Sequence, residues 1–116
     1  MNGSPASPAP RPDKTFKIDQ SVSPGGTLTL LCRGRITLET AGQFRSEVKD
    51  LTSQHKLLLI DLSAVHFVDS AGLGSIFATY ISAKKQGCDL MLINVHPHVK
   101  DLLNTCHLES IFKQEK

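Results

Sequence analysis

At 116 residues the chain is the size of one domain and can close a single hydrophobic core without help from metals or disulfides. Thirteen Lys and Arg against eleven Asp and Glu leave a formal charge of +2, and five Phe, one Tyr and no Trp offer few stacking surfaces, so no direct nucleic-acid partner is expected. No apolar run approaches the ~20 residues of a membrane helix and no secretory leader opens the sequence, so a cytoplasmic protein that does not insert into a membrane is expected.

Residues 1–13 mix prolines with Ser, Ala and Gly and cannot bury enough surface to offset ordering entropy. They read as a disordered tail ahead of one domain at residues 14–116. Pro5 and Pro8 give a Pro-x-x-Pro spacing, open to a docking motif or to a plain solvated tail. Phe16 and Ile18 alternate within 15–22, and Leu28, Leu30 and Cys32 within 27–33, which predicts two strands joined as a hairpin through Ser23-Pro24-Gly25-Gly26. Thr40 and Gln43 have the spacing of a capping box, and Ala41, Phe44, Val48 and Leu51 then recur at helical intervals. A helix is predicted from Ala41 to the stretch Leu51–Ser53.

Leu57 to Ile60 are consecutive apolar residues, the pattern of a central strand covered on both faces. After Asp69, the set Leu73, Ile76, Phe77, Tyr80 and Ile81 steps by three and four, predicting one apolar stripe on a second helix that runs to Gln86 and stops at Gly87. Leu90 to Asn94 form a further strand, and Pro97 opens a third helix with Val99, Leu102, Leu103 and Cys106 on one face. Leu108, Ile111 and Phe112 can supply a last short strand or a capping turn. The order is ββαβαβα: an α/β fold with a mixed β-sheet, parallel crossovers beside one antiparallel hairpin, and helices packed on the sheet. Cys32, Cys88 and Cys106 are odd in number, widely separated and lack a Cys-x-x-Cys pair, so they read as buried apolar thiols in a reducing compartment.

The segment richest in chemistry is Val65-His66-Phe67-Val68-Asp69-Ser70-Ala71-Gly72-Leu73-Gly74, between the central strand and the second helix. Asp69 stands at the cap position, able to accept a hydrogen bond from an otherwise unpartnered amide near Ala71 or Gly72. Ser70 then falls in the first turn, where a hydroxyl usually faces solvent and a phosphate would meet the positive end of the helix dipole. Gly72 and Gly74 are costly inside a helix, so small residues serve a purpose there: close packing on a neighbouring loop, or a flat surface for a partner's backbone.

Asp69-Ser70-Ala71-Gly72-Leu73-Gly74, following the strand that ends Ile60-Asp61-Leu62, resembles the signature of STAS domains, the sulfate-transporter and anti-sigma-factor-antagonist family. The resemblance extends to Gly34-Arg35-Ile36 before a helix and to Val95-His96-Pro97 after the fourth strand, and so covers Thr15 to Phe112. It implies an anti-sigma factor antagonist with Ser70 as the phosphorylated residue. An anti-sigma factor serine kinase would bind the unmodified protein, and a serine phosphatase acting on phospho-Ser70 would reset it. The partner-binding surface would comprise Asp69, Ser70, Ala71, Gly72, Leu73 and Gly74, with Thr37 where many antagonists carry an acidic residue. Many relatives also continue into another helix beyond the point where this sequence ends, which would leave the C-terminal face more open. The competing reading within the same family is a STAS adaptor, a subunit of a transport complex or signalling scaffold whose Ser70 is never phosphorylated.

Other chemistries fit less well. Asp69, Ser70 and His66 cluster as a hydrolase triad would, but a nucleophile elbow needs Gly two before the serine and Val68 stands there. Gly72-Leu73-Gly74 opens a dinucleotide fingerprint whose third glycine position is Phe77. His96 and His98 with Cys106 or His107 lack a fourth metal ligand, and His55 and His66 come with no defined carboxylate partner. Ser75, further along the second helix, reads as a helix-surface residue. The expectation is a binding protein without catalytic residues, metal or cofactor.

Overall fold

The computed structural model describes residues 16–106. The tail at 1–13 and the closing segment with Leu108, Ile111 and Phe112 lie outside the described residues. The elements follow the expected order: β1 (Phe16–Val22), β2 (Leu28–Ile36), α1 (Ala41–Thr52), β3 (Leu57–Val68), α2 (Ser70–Lys85), β4 (Asp89–Ile93) and α3 (Pro97–Thr105). The strands form one four-stranded sheet in the order β1-β2-β3-β4. β1 and β2 pair antiparallel, whereas β2–β3 and β3–β4 pair parallel through the α1 and α2 crossovers.

Alternation decides which strand residues enter the core. Leu28, Leu30 and Cys32 of β2 and Leu58, Ile60 and Leu62 of β3 point inward, meeting Phe44 and Val48 of α1 and Ile76 and Ala83 of α2 in one cluster. α1 packs chiefly on α2, and α3 lies against β3 with Val99 and Leu103 buried. The ring of Phe16 meets that of Phe44 edge-on at 6.2 Å, which seals the β1 edge of this core.

Several expectations need correction. The central strand extends to Val68 because β2 also continues to Ile36, beyond the expected Arg33, and offers β3 a parallel partner that far. Register shifts between Leu31 and Arg33 and between Gly34 and Arg35 absorb the irregularity, and Gly34 takes a φ of 111° that suits glycine alone. The capping box before α1 does not form. The Thr40 hydroxyl instead donates to the Arg35 carbonyl at 2.7 Å and accepts from the Thr37 amide at 2.9 Å, while Gln43 reaches the Phe16 carbonyl. Tertiary partners within the sheet compete successfully for both side chains.

The third correction concerns which face of α2 is buried. The inward residues are Gly72, Ser75, Ile76, Thr79 and Ala83, mostly small, and they let the helix lie close to its neighbours. Of the expected apolar stripe, Ile76 is buried, Leu73 and Tyr80 are half-buried, and Phe77 and Ile81 face solvent at 40% and 37% exposure. Ser75 is accordingly an interior residue, its hydroxyl donating to the Gly72 carbonyl at 3.1 Å, and Thr79 donates to the Ser75 carbonyl at 2.7 Å. Cys32 and Cys88 are buried as expected, but Cys106 is exposed, because it caps the end of α3 beyond the residues that touch the sheet.

Candidate functional site

The site is built on the step from β3 into α2. Asp69 ends the strand in extended conformation, and its Oδ1 accepts the Gly72 amide at 2.7 Å, which satisfies one of the free N–H groups of the first turn. Its Oδ2 accepts the Leu38 amide at 3.1 Å, and its own N–H donates to the Ile36 carbonyl at 3.3 Å. A single carboxylate therefore ties the start of α2 to the turn that follows β2. The Gly72 amide is the main cause that holds the Asp69 carboxyl below the usual carboxylate range; modest desolvation opposes it, and the Leu38 and Ala71 amides and the Arg35 charge assist.

Gly72 explains why the two segments can meet. A Cβ at position 72 would fall on the Ile36 carbonyl, so only hydrogen fits between α2 and the end of β2. A Cβ at Gly74 would meet nothing within 4 Å. The two readings of these glycines thus divide: Gly72 serves packing, and Gly74 lies open on the surface.

Ser70 is exposed as the first residue of α2. Helical steps of four, three and four place Gly74, Phe77 and Ile81 along the same outward row, and all of them are exposed. Asp69, Ala71 and Leu73 are half-buried, and Leu73 packs against the core. Thr37 is half-buried in the turn that Asp69 holds, and its neighbour Leu38 is 76% exposed. Thr37 and the Asp69–Gly74 segment, far apart in sequence, are therefore brought to one end of the sheet, with Gly72 beneath the surface rather than on it.

Several residues at this end escaped the sequence reading. Phe67, 42% exposed, carries the Arg35 guanidinium over its ring at 4.4 Å. The β2–β3 register sets Arg35 directly opposite Phe67. Leu38 and Phe67 give the Ser70 turn an exposed apolar margin, and Phe77 and Ile81 continue an exposed row along α2. The row on α2 required knowing that small residues form its inner face.

The remaining candidates lie elsewhere or are otherwise engaged. His66 and His96 approach at 6.3 Å and His96 stacks on His98 at 5.1 Å, with His96 Nδ1 accepting the His98 amide at 3.2 Å. Among the described residues no group of three or more His, Cys, Asp or Glu is placed to hold a metal ion. Both Asp69 oxygens accept backbone amides, so this carboxylate does not orient an imidazole as a catalytic triad requires. Asp61, buried within β3, accepts from Ser63 and Asn94; burial pushes its carboxyl up, and these hydrogen bonds outweigh it and hold the group low. A shallow groove lined by Arg45, Lys49, Thr52, Ala78, Thr79 and Ser82 runs between α1 and α2, away from Ser70.

A four-stranded mixed sheet with this order and a serine at the mouth of α2 define a small α/β domain. The model of the STAS domain matches residues 20–116, and the chain belongs to that family. An anti-sigma factor antagonist from Mycobacterium paratuberculosis superposes with a TM-score of 0.69 at 24% identity, over 85% of this chain and 84% of that one. SpoIIAA, the Bacillus cell fate determinant and an anti-sigma factor antagonist, matches in its unphosphorylated form at 15% identity and a TM-score of 0.69, covering 86% and 89%. Its phosphorylated form matches with a TM-score of 0.65 at 14% identity, over 86% of this chain and 92% of that one. A sulfate transporter family protein from Wolinella succinogenes shares the fold with a TM-score of 0.66 at 18% identity, covering 78% and 75%. No helix among the described residues is long and apolar enough to cross a membrane.

Proposed function

We propose that the protein is an anti-sigma factor antagonist: a binding switch, not a catalyst, that docks an anti-sigma factor serine kinase through the Ser70 end of the domain and releases it when Ser70 is phosphorylated. The observation that carries this reading is the exposure of Ser70 at the first position of α2, on a turn fixed by Asp69 and flanked by the exposed Leu38 and Phe67. In the modification, the Ser70 Oγ attacks the terminal phosphorus of a nucleoside triphosphate. The new O–P bond forms as the bridging bond to the diphosphate breaks, and a base of the kinase takes the hydroxyl proton. A phosphatase reverses the state by adding water across that O–P bond.

The switch follows from charge and burial. The phosphate adds about −1.5 to −2 charges at neutral pH. It can remain at the positive end of α2 without disturbing the fold, but a docked partner would have to desolvate it or set carboxylates against it. A penalty of ~3–4 kcal/mol lowers affinity by a factor of several hundred. SpoIIAA, with the same fold, is known in both phosphorylated and unphosphorylated forms, which supports the reading.

Incubation with an anti-sigma factor kinase of the same organism and ATP, followed by mass spectrometry of the Ser70 peptide, tests the chemistry. Phosphate on Ser70 and none on Ser75 is expected. A kinase that binds tightly yet leaves Ser70 unmodified would refute it. The adaptor reading draws on the fold shared with the sulfate transporter family protein. Co-purification with a membrane transporter, with Ser70 unmodified in cells, would favour it.

A further inference from the structure

We propose that Arg35 is the cation that receives the phosphate placed on Ser70, so that the modified site closes on itself as a guanidinium–phosphate pair within the chain. The inference rests on the reading of Ser70 as a phosphosite and concerns the state that follows modification.

Arg35 is aimed by the backbone. The register shift between Gly34 and Arg35 and the positive φ of Gly34 turn the end of β2, and the guanidinium settles over Phe67 at 4.4 Å. Phe67 is three residues before Ser70, and Asp69, just past the end of β3, donates its N–H to the carbonyl of Ile36, the neighbour of Arg35. The base of the long Arg35 side chain therefore stands beside the Ser70 turn. Its Nε is buried and has no hydrogen-bond partner among the described residues. A buried N–H without an acceptor is uncommon and points to a group that a second state of the site satisfies.

The obvious acceptor nearby is already engaged. Both oxygens of Asp69 accept backbone amides from Gly72 and Leu38, and Arg35 acts on that carboxylate through space. A phosphate on the Ser70 oxygen would bring a dianion with several strong acceptors to the side chain adjoining Asp69. The planar fork of a guanidinium matches such a group bidentately, as an ammonium does not. Modification would then remove a hydroxyl and an available cation from the docking face together, which adds to the effect of charge alone.

The test uses the full chain with phosphoserine installed at position 70 during synthesis, so no kinase is involved. The second ionisation of the phosphate is followed by phosphorus NMR in the wild type, in Arg35→Gln and in Arg35→Lys, with amide spectra confirming that each remains folded. The wild-type midpoint should lie about half a unit or more below that of Arg35→Gln, with Arg35→Lys between them. In the wild type, the Arg35 Nε–H resonance should move with the same midpoint, a readout that needs no variant. Equal midpoints in wild type and Arg35→Gln, or an Arg35 resonance that ignores the phosphate, would overturn the proposal. Either result leaves the switch itself standing, because failure of the switch shows elsewhere, as unchanged kinase affinity of the phosphorylated chain.

Discussion

Replacing Gly72 with alanine perturbs the joint on which the site depends. The added methyl would coincide with the Ile36 carbonyl, and both the obstructing atom and the helix that carries the methyl are backbone, so no rotamer change relieves the clash. α2 must move away from the end of β2, which also strains the bond from the Gly72 amide to Asp69 at 2.7 Å. Overpacking of this kind costs about 1–3 kcal/mol, and a weakened cap about 1 kcal/mol more. The better helix propensity of alanine returns less than ~1 kcal/mol in a first turn. The net loss is about 1–4 kcal/mol, which lowers the midpoint of thermal unfolding by roughly 5–25 °C for a domain of this size. Gly74→Ala is the matched control, because a Cβ there meets nothing within 4 Å, and it should be neutral or slightly stabilising. Urea melts followed by circular dichroism of both variants provide the comparison. A Gly72→Ala protein as stable as the wild type would refute the close approach of α2 to β2.

Asp69→Ala removes the acceptor for two amides and should lower the urea midpoint while loosening the turn at Leu38 in hydrogen exchange. Because Asp69 and Asp61 are both held below the unfolded value of about 3.9, the stability they contribute is fully present above that value and is lost as pH falls through their lowered folded values. Urea midpoints should therefore be level near neutrality and decline at acid pH, with a shallower decline in Asp69→Asn; an equal decline in both would contradict the assignment. Phe77→Ala, at a residue 40% exposed, should reduce affinity for the proposed kinase in calorimetric titration while amide spectra show the fold intact. Iodoacetamide at pH 8 should label Cys106 alone in the native protein, because burial, with Asp61 and Glu47 adding their charge, pushes the Cys32 thiol up to about 12 and Cys88 is buried too.

The element order was legible because each signal was local: alternation in β1 and β2, the apolar run that opens β3, and Pro97 at the start of α3. The Asp69 cap was equally readable, since an acidic residue before a helical pattern has one nearby amide to accept from. What escaped depended on distant partners. Thr40 and Gln43 fit a capping box until the carbonyls of Arg35 and Phe16 compete for them. The inner face of α2 was misplaced because periodicity ranks residues by hydrophobicity, whereas close packing selected Gly72, Ser75 and Thr79 and left Phe77 outside. Arg35 carried no signal of its own, because its position over Phe67 requires the β2–β3 register and the irregularity at Gly34.

The most direct measurement is a titration of the proposed partner, an anti-sigma factor kinase, with the unmodified chain and with the chain phosphorylated at Ser70, at one ionic strength. A loss of affinity of a hundredfold or more on phosphorylation, with Ser70→Ala binding like the unmodified protein, is the predicted result. Equal affinity of the two forms would contradict the account.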